Sequence, residues 1–325
     1  MTEHMSVDRV AELSQDILER IRSVVVDMHD PLDLALATIL AGGHVLFEDV
    51  PGLGKTLAAR SLAAALGLEF RRIQCTPDLL PSDITGSFVY APATGDFDFR
   101  AGPIFAGLVL ADEINRTTPK TQSSFLEAMA EGHVTVEGQH FELPRPFHVI
   151  ATSNPIEFEG TYALPEAQLD RFMVRLSVGY LAAESEQRIL LSRAHRQHDL
   201  VQIDAVIDAE TLRAMQEGVE SVHVDADIAR YCVDLAGATR TDQAVQVGAS
   251  PRGSQGLMLV ARSIAVMAGR AFVTPDDVKR AAVPVLAHRL TLTPQAWANG
   301  VQPAHIVSRL LGAVAGPPAV TASAE

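Results

Sequence analysis

The stretch "FEDVPGLGKT", residues 47–56, constrains this chain more than any other. A glycine-rich turn between a strand and a helix presents successive backbone N–H groups at the positive end of the helix, a place where phosphate binds. The generic pattern G-x-x-x-x-G-K-[ST] puts its first glycine at position 49, which here is Asp. The positions that would touch phosphate are intact: Pro51, Gly52, Leu53 and Gly54, then Lys55 for the β- and γ-phosphates, Thr56 for Mg²⁺, and Leu57 behind them. The flanks fit as well. "HVLFED" reads as a short apolar strand, and "TLAARSLAAAL" as a helix closed by Gly67. The Asp49 carboxylate is expected to turn away from the phosphates, which its charge would repel.

The same alternation continues along the chain. "FRRIQC", "GLVLADE", "HVIATSN" and "MVRLSVG" read as further strands, with "TPKTQSSFLEAMAEG" as a helix between Pro119 and Gly132. Strands separated by helices imply a parallel sheet of five strands covered on both faces. An amphipathic helix over 6–28 precedes it, from apolar residues spaced three and four apart, and a second helix ends at Gly42-Gly43. Two stretches of alternating residues around turns predict hairpin inserts at about 85–102 and 131–144, the second turning at Glu137-Gly138. Strand signals vanish after about Leu181. This divides the chain into an α/β domain (1–180), an all-helical domain (181–316) and a small polar tail (317–325) expected to be disordered.

Two strand ends, a short helix and a helix start supply candidate chemistry. Four apolar residues followed by Asp112-Glu113 deliver two carboxylates to a sheet edge, one suited to positioning metal-bound water and the other to polarising an attacking water. Asn154 ends another buried strand and can orient that water, although an Asn-Pro pair taken alone reads more simply as a turn. Arg171 in "LPEAQLDRF" reads on position alone as a surface partner of Asp170. Arg252 in "GASPRGSQGL" opens a helix, where an arginine gains nothing from the dipole and invites an anionic partner.

Composition excludes several classes. A net charge of −14 and 5% aromatic residues argue against a surface built for nucleic acid. The second hairpin, "HVTVEGQHFEL", holds no Lys or Arg. Two widely separated cysteines, Cys75 and Cys232, form no metal-type spacing and suit a reducing compartment. No apolar signal core or membrane-length run is present, so the expected location is cytoplasmic.

Taken together, "GGHVLFEDVPGLGKT", "TPDLLPSDITGSFVY", "GPIFAGLVLADEINR", "ATSNPIEFEGTYALPEAQLDRF" and "GASPRG" resemble the MoxR-type AAA+ ATPases, over about Gly42 to Arg289. That branch carries a helix-2 insert and a hairpin before its first sensor, and often an acidic residue at the position of Asp49. The resemblance implies a P-loop NTPase fold, three-layer α/β/α, followed by a small helical lid. It implies ATP and Mg²⁺ as cofactors, with Lys55 and Thr56 as the Walker A pair and Asp112 and Glu113 as Walker B. Asn154 corresponds to sensor 1, Arg171 to an arginine finger reaching a neighbouring subunit, and Arg252 to sensor 2. It further implies a ring, typically a homo-hexamer. Such rings act as chaperone-like motors on protein complexes, often in metal cofactor insertion, with partners carrying a von Willebrand factor A domain. A magnesium-chelatase-type subunit is the close alternative, and a nucleic-acid motor the more distant one. One departure stands out: "VVVDMHDP" occupies the place where related proteins carry a Val-Gly-Gln segment that helps enclose the adenine.

Overall fold

The computed structural model of the chain describes residues 5–93, 95–154, 161–180, 182–196 and 203–317. The apolar spacing near the N-terminus produces α1 (Val7–Arg22), capped by Ser6, which accepts the Arg9 N–H. This helix is shorter than the expected 6–28. The chain turns after Ser23, Asp27 takes a left-handed φ of 52°, and α2 (His29–Leu40) begins. Val25 and Met28 continue the apolar pattern and are buried, but from a turn rather than a helix.

Next come β1 (Val45–Glu48), α3 (Lys55–Ala65), β2 (Phe70–Gln74) and α4 (Pro81–Thr85). The first hairpin follows as β3 (Gly86–Ala91) and β4 (Asp96–Ala101), then β5 (Leu108–Asp112) and α5 (Pro119–Glu131). The second hairpin is β6 (His133–Val136) with β7 (Gln139–Glu142), and β8 (His148–Ser153), α6 (Glu166–Leu169) and β9 (Val174–Leu176) complete this half. Five strands form one parallel sheet in the order β2-β5-β8-β1-β9. Every residue of β5 and β8 is buried, as apolar runs covered on both faces require. The C-terminal ends of β1, β5 and β8 therefore share one edge, where the loop after β1 and the acids ending β5 meet.

Both hairpins pair antiparallel, β3 with β4 and β6 with β7. Glu137 and Gly138 both take positive φ (48° and 80°), the primed turn that suits the twist of two adjacent strands. Their contact with each other is new. Phe99 of β4 stacks on Phe141 of β7 with ring centres 3.8 Å apart, and Phe88 packs against both. The inserts thus form one aromatic unit.

The remainder is helical: α7 (Ala183–Arg196), α8 (Ala209–Glu220), α9 (Ala226–Thr241), α10 (Pro251–Met267), α11 (Pro275–Leu286), α12 (Pro294–Ala298) and α13 (Pro303–Ala313). A short antiparallel ribbon, β10 (Val245–Val247) with β11 (Thr291–Leu292), is added to it. Two and three residues are too few to show alternation. One continuous apolar cluster joins α1, α3, the sheet and the helices, running from Ile17 and Leu62 to Val260 and Val285. Apart from Pro317, the tail expected at 317–325 lies outside the described residues. Among the described residues, no helix is long and apolar enough to cross a membrane.

Candidate functional site

The loop after β1 has the backbone its glycines permit. Gly52 and Gly54 take φ of 85° and 79°, which a side chain would strain, and nothing lies within 4 Å of where a Cβ would stand. Gly54 is also the N-cap of α3, so the helix begins at Lys55 and its first N–H groups face the loop. Lys55 is buried, and its Nζ donates to the carbonyls of Asp49 (2.7 Å) and Val50 (3.0 Å). Burial lowers the pKa of this ammonium, and the carboxylates of Asp49, Asp112 and Glu113 oppose that shift. Pro51, Leu53 and Leu57 complete the loop and the first turn.

The Asp49 carboxylate reaches the segment that follows β9. Its Oδ2 accepts from Ser177 Oγ (3.1 Å) and from the backbone N–H groups of Val178 (2.5 Å) and Gly179 (2.9 Å). Its own φ is not positive, so nothing in the backbone demands glycine there. The side chain clasps the loop to the segment leaving β9.

At the end of β5, Asp112 is buried and held from both sides. Its Oδ1 accepts from Thr152 Oγ1 at 2.6 Å, and its Oδ2 lies 3.5 Å from Thr56 Oγ1. Thr152 Oγ1 in turn accepts the backbone N–H of Glu113 at 2.8 Å, so one hydroxyl on β8 fixes both acids. Glu113 itself sits at φ 59°, ψ 50°, a left-handed conformation that a non-glycine residue holds only where its surroundings impose it. Its Oε2 accepts from Gln74 Nε2 at 3.0 Å and lies 3.4 Å from Arg116 Nε. An all-oxygen pair of hydroxyl and carboxylate fits Mg²⁺, which takes one or two protein ligands and leaves its other positions to phosphate and water.

Three residues at this edge escape the sequence reading: Thr152, Gln74 and Arg72. Arg72 donates to Asp112 Oδ2 from Nε (2.9 Å) and Nη2 (2.6 Å), and to Gln74 Oε1 (2.6 Å). The hydroxyl within the buried run "HVIATSN", and the two-residue spacing of Arg72 and Gln74 on β2, are the signals that point to them.

Asn154 is buried at the end of β8, and its backbone carbonyl accepts from Asn115 Nδ2 at 3.2 Å, which ties it to the turn after Glu113. Residues 155–160 lie outside the described residues. Arg171 follows α6 and donates to the Leu126 carbonyl of α5. Asp170 beside it pairs with buried Arg289 of the helical half (2.7 Å) and accepts from Ser250 Oγ (3.2 Å). Ser250 is the N-cap of α10, and Arg252 is exposed in the first turn of that helix. Among the described residues, the contacts bring neither arginine to Lys55 or Asp112.

Known proteins resemble this chain over most of its length. A family model described as "ATPase family associated with various cellular activities (AAA)" matches residues 44–174, and an "AAA lid domain" model matches 237–310. The chaperone MoxR1 of Mycobacterium tuberculosis is 41% identical over 95% of this chain and 83% of its own. The chain belongs to the MoxR family of AAA+ ATPases. The uncharacterized protein YeaC of Bacillus subtilis is 48% identical over 91% of this chain and 92% of its own. The crystal structure of a candidate ATPase from Cytophaga hutchinsonii superimposes with a TM-score of 0.89 at 35% identity, covering 96% of this chain and 97% of that one.

In this MoxR-type ATPase a cleft of about 470 Å³ opens beside the loop. Leu34 of α2, Leu176 of β9, and Val283 and Pro284 of α11 supply apolar walls, with the Glu48–Arg175 pair (2.9 Å) at its rim. The departure at "VVVDMHDP" acquires a physical account nearby. Asp27 holds the left-handed backbone that Asp tolerates better than most residues, and its carboxylate accepts from Ser185 and from Arg188 (2.9 Å) of α7.

Proposed function

We propose that this protein hydrolyses ATP in a Mg²⁺-dependent reaction and uses the cycle to remodel a partner protein. The observation that carries the reading is the meeting of Lys55, Thr56, Asp112 and Glu113 at one sheet edge, with Thr152 holding both acids. The backbone N–H groups of residues 52–56 bind the phosphates, and Lys55 turns from the loop carbonyls toward them. Thr56 and Asp112 hold Mg²⁺, which supplies charge neutralisation at the phosphate oxygens. Glu113 accepts the proton of the attacking water, and Asn154 orients that water. The apolar cleft beside the loop takes the base.

Arg171 acts on the site of a neighbouring subunit, so the working form is a ring, a homo-hexamer in this reading. Arg252 couples the helical lid to the γ-phosphate. The named chaperone among the relatives supports a protein client, and a partner with a von Willebrand factor A domain fits that role. A magnesium-chelatase subunit of Arabidopsis thaliana matches more weakly, at 27% identity over 58% of this chain, so the chelatase reading stands second.

The test is Glu113→Gln. This variant keeps nucleotide affinity within a few-fold while turnover falls by about 10²–10⁴, the usual share of a general base. It then serves as the ATP-loaded form for capturing the client. Turnover at the wild-type rate would remove Glu113 from the mechanism.

A further inference from the structure

We propose that Arg72 is a built-in competitor for the divalent cation at Asp112, so that its guanidinium and the metal occupy the carboxylate alternately. The proposal rests on the Mg²⁺ reading above and adds to it a residue that limits metal affinity. Asp112 offers two oxygens. Oδ1 is engaged by the Thr152 hydroxyl at 2.6 Å. Oδ2 is the oxygen nearest Thr56, and a cation held between the two residues must use it. Both Arg72 contacts, 2.6 and 2.9 Å, fall on that same Oδ2. A carboxylate oxygen presents about two lone-pair sites, and two N–H groups fill them. A divalent ion placed there would also stand against a fixed positive charge.

Arg72 is free to leave. It lies on the edge strand β2 with its side chain 49% exposed, whereas Asp112 is 12% exposed, so the arginine can reach solvent and the carboxylate cannot. A contact that must break before the metal binds raises the apparent dissociation constant, which equals the intrinsic one divided by the fraction of molecules in which the contact is broken. An ion pair of this exposure is worth up to about 1 kcal/mol. The neighbouring Arg71 provides a control, because it points to the other side of β2 and pairs with Glu69 at 2.8 Å.

The experiment titrates Mn²⁺ into the full chain saturated with ADP and reads free Mn²⁺ by electron paramagnetic resonance, a measurement independent of turnover. Arg72→Ala and Arg72→Gln should each bind Mn²⁺ about 2- to 6-fold tighter than wild type. Arg71→Ala, with the same loss of charge, should change affinity less than about twofold, since exposed charges at that distance are screened. Two substitutions at position 72 keep the measurement available if one of them fails to fold. Unchanged or weaker binding in a folded position-72 variant overturns the proposal, because Arg72 would then be neutral or would prop Asp112 for the metal. An equal gain in Arg71→Ala overturns it too, by reducing the effect to net charge. Asp112→Asn separates the underlying reading: if Mn²⁺ affinity survives that change, the metal is not at Asp112 and the site assignment itself fails.

Discussion

The Asp49 carboxylate accepts three donors from residues 177–179 while the same residue's carbonyl accepts from Lys55. It joins the glycine loop to the segment that leads from β9 into the helical half. Asp49→Gly would restore the generic loop pattern, yet it strands the Val178 and Gly179 N–H groups and adds backbone freedom to the unfolded chain. Hydrogen bonds to a charged group are worth about 1.5–3 kcal/mol each, so urea unfolding should show Asp49→Gly less stable than wild type. Equal or greater stability would show that the clasp does nothing. The residue scale also explains what the sequence reveals. Gly52, Gly54, Lys55, Thr56, Asp112 and Glu113 are legible because each role follows from residue type and the strand or helix beside it. Arg72, Gln74 and Thr152 are not, because their contacts depend on the strand order and register, which set Arg72 opposite Leu110 and Gln74 opposite Asp112. Glu113 carries a left-handed backbone that no local signal announces.

At the scale of elements, two histidines pin the opposite end of the sheet. His44, entering β1, accepts the Val149 N–H at Nδ1 (3.0 Å) and donates from Nε2 to the Met129 carbonyl (3.2 Å). His148, opening β8, donates from Nδ1 to the Gly43 carbonyl (2.9 Å) and accepts from Gln216 at Nε2 (3.1 Å). Each ring is fixed as a neutral tautomer, and protonating its accepting nitrogen would break a bond. Burial, with the charge of His148 second, lowers the pKa of His44 to about 3, and burial lowers His148 to about 4. Between those values and 6.5 the unfolded chain binds protons that the folded chain does not. Stability contributed by both is therefore complete above the unfolded pKa and declines as pH falls, by up to about 1.4 kcal/mol per unit for each histidine. The urea midpoint should drop between pH 7.5 and 5. A midpoint that holds level or rises across that interval would contradict the assignment. Elements were easy to read where a long pattern specified them, as with the five sheet strands and both hairpins. The short ribbon β10–β11, the early end of α1 and the Phe99–Phe141 stack arise from tertiary packing, which periodicity does not encode.

In the whole molecule, Asp170 decides how the two outlying arginines are placed. Its pairing with Arg289 and its bond to Ser250 draw the turn carrying Arg171 against the start of α10, which carries Arg252. The two segments that carry the arginines are therefore linked, although 80 residues separate Asp170 from Ser250. If Arg171 serves the nucleotide of a neighbour, the link through Asp170 predicts that Arg252 serves the same neighbour. Subunit mixing tests this directly. Arg171→Ala rings should bind ATP but hydrolyse it 10³- to 10⁵-fold more slowly, the range of a trans finger, and Lys55→Ala rings should lack a working phosphate loop. In a random equal mixture, half the subunits keep an intact loop and half of those face a neighbour with an intact finger. About a quarter of wild-type turnover should return. Arg252→Ala mixed with Lys55→Ala should recover the same fraction. Recovery with Arg171→Ala alone would put Arg252 at its own subunit's nucleotide, and recovery with neither would remove the trans arrangement and the case for a catalytic ring.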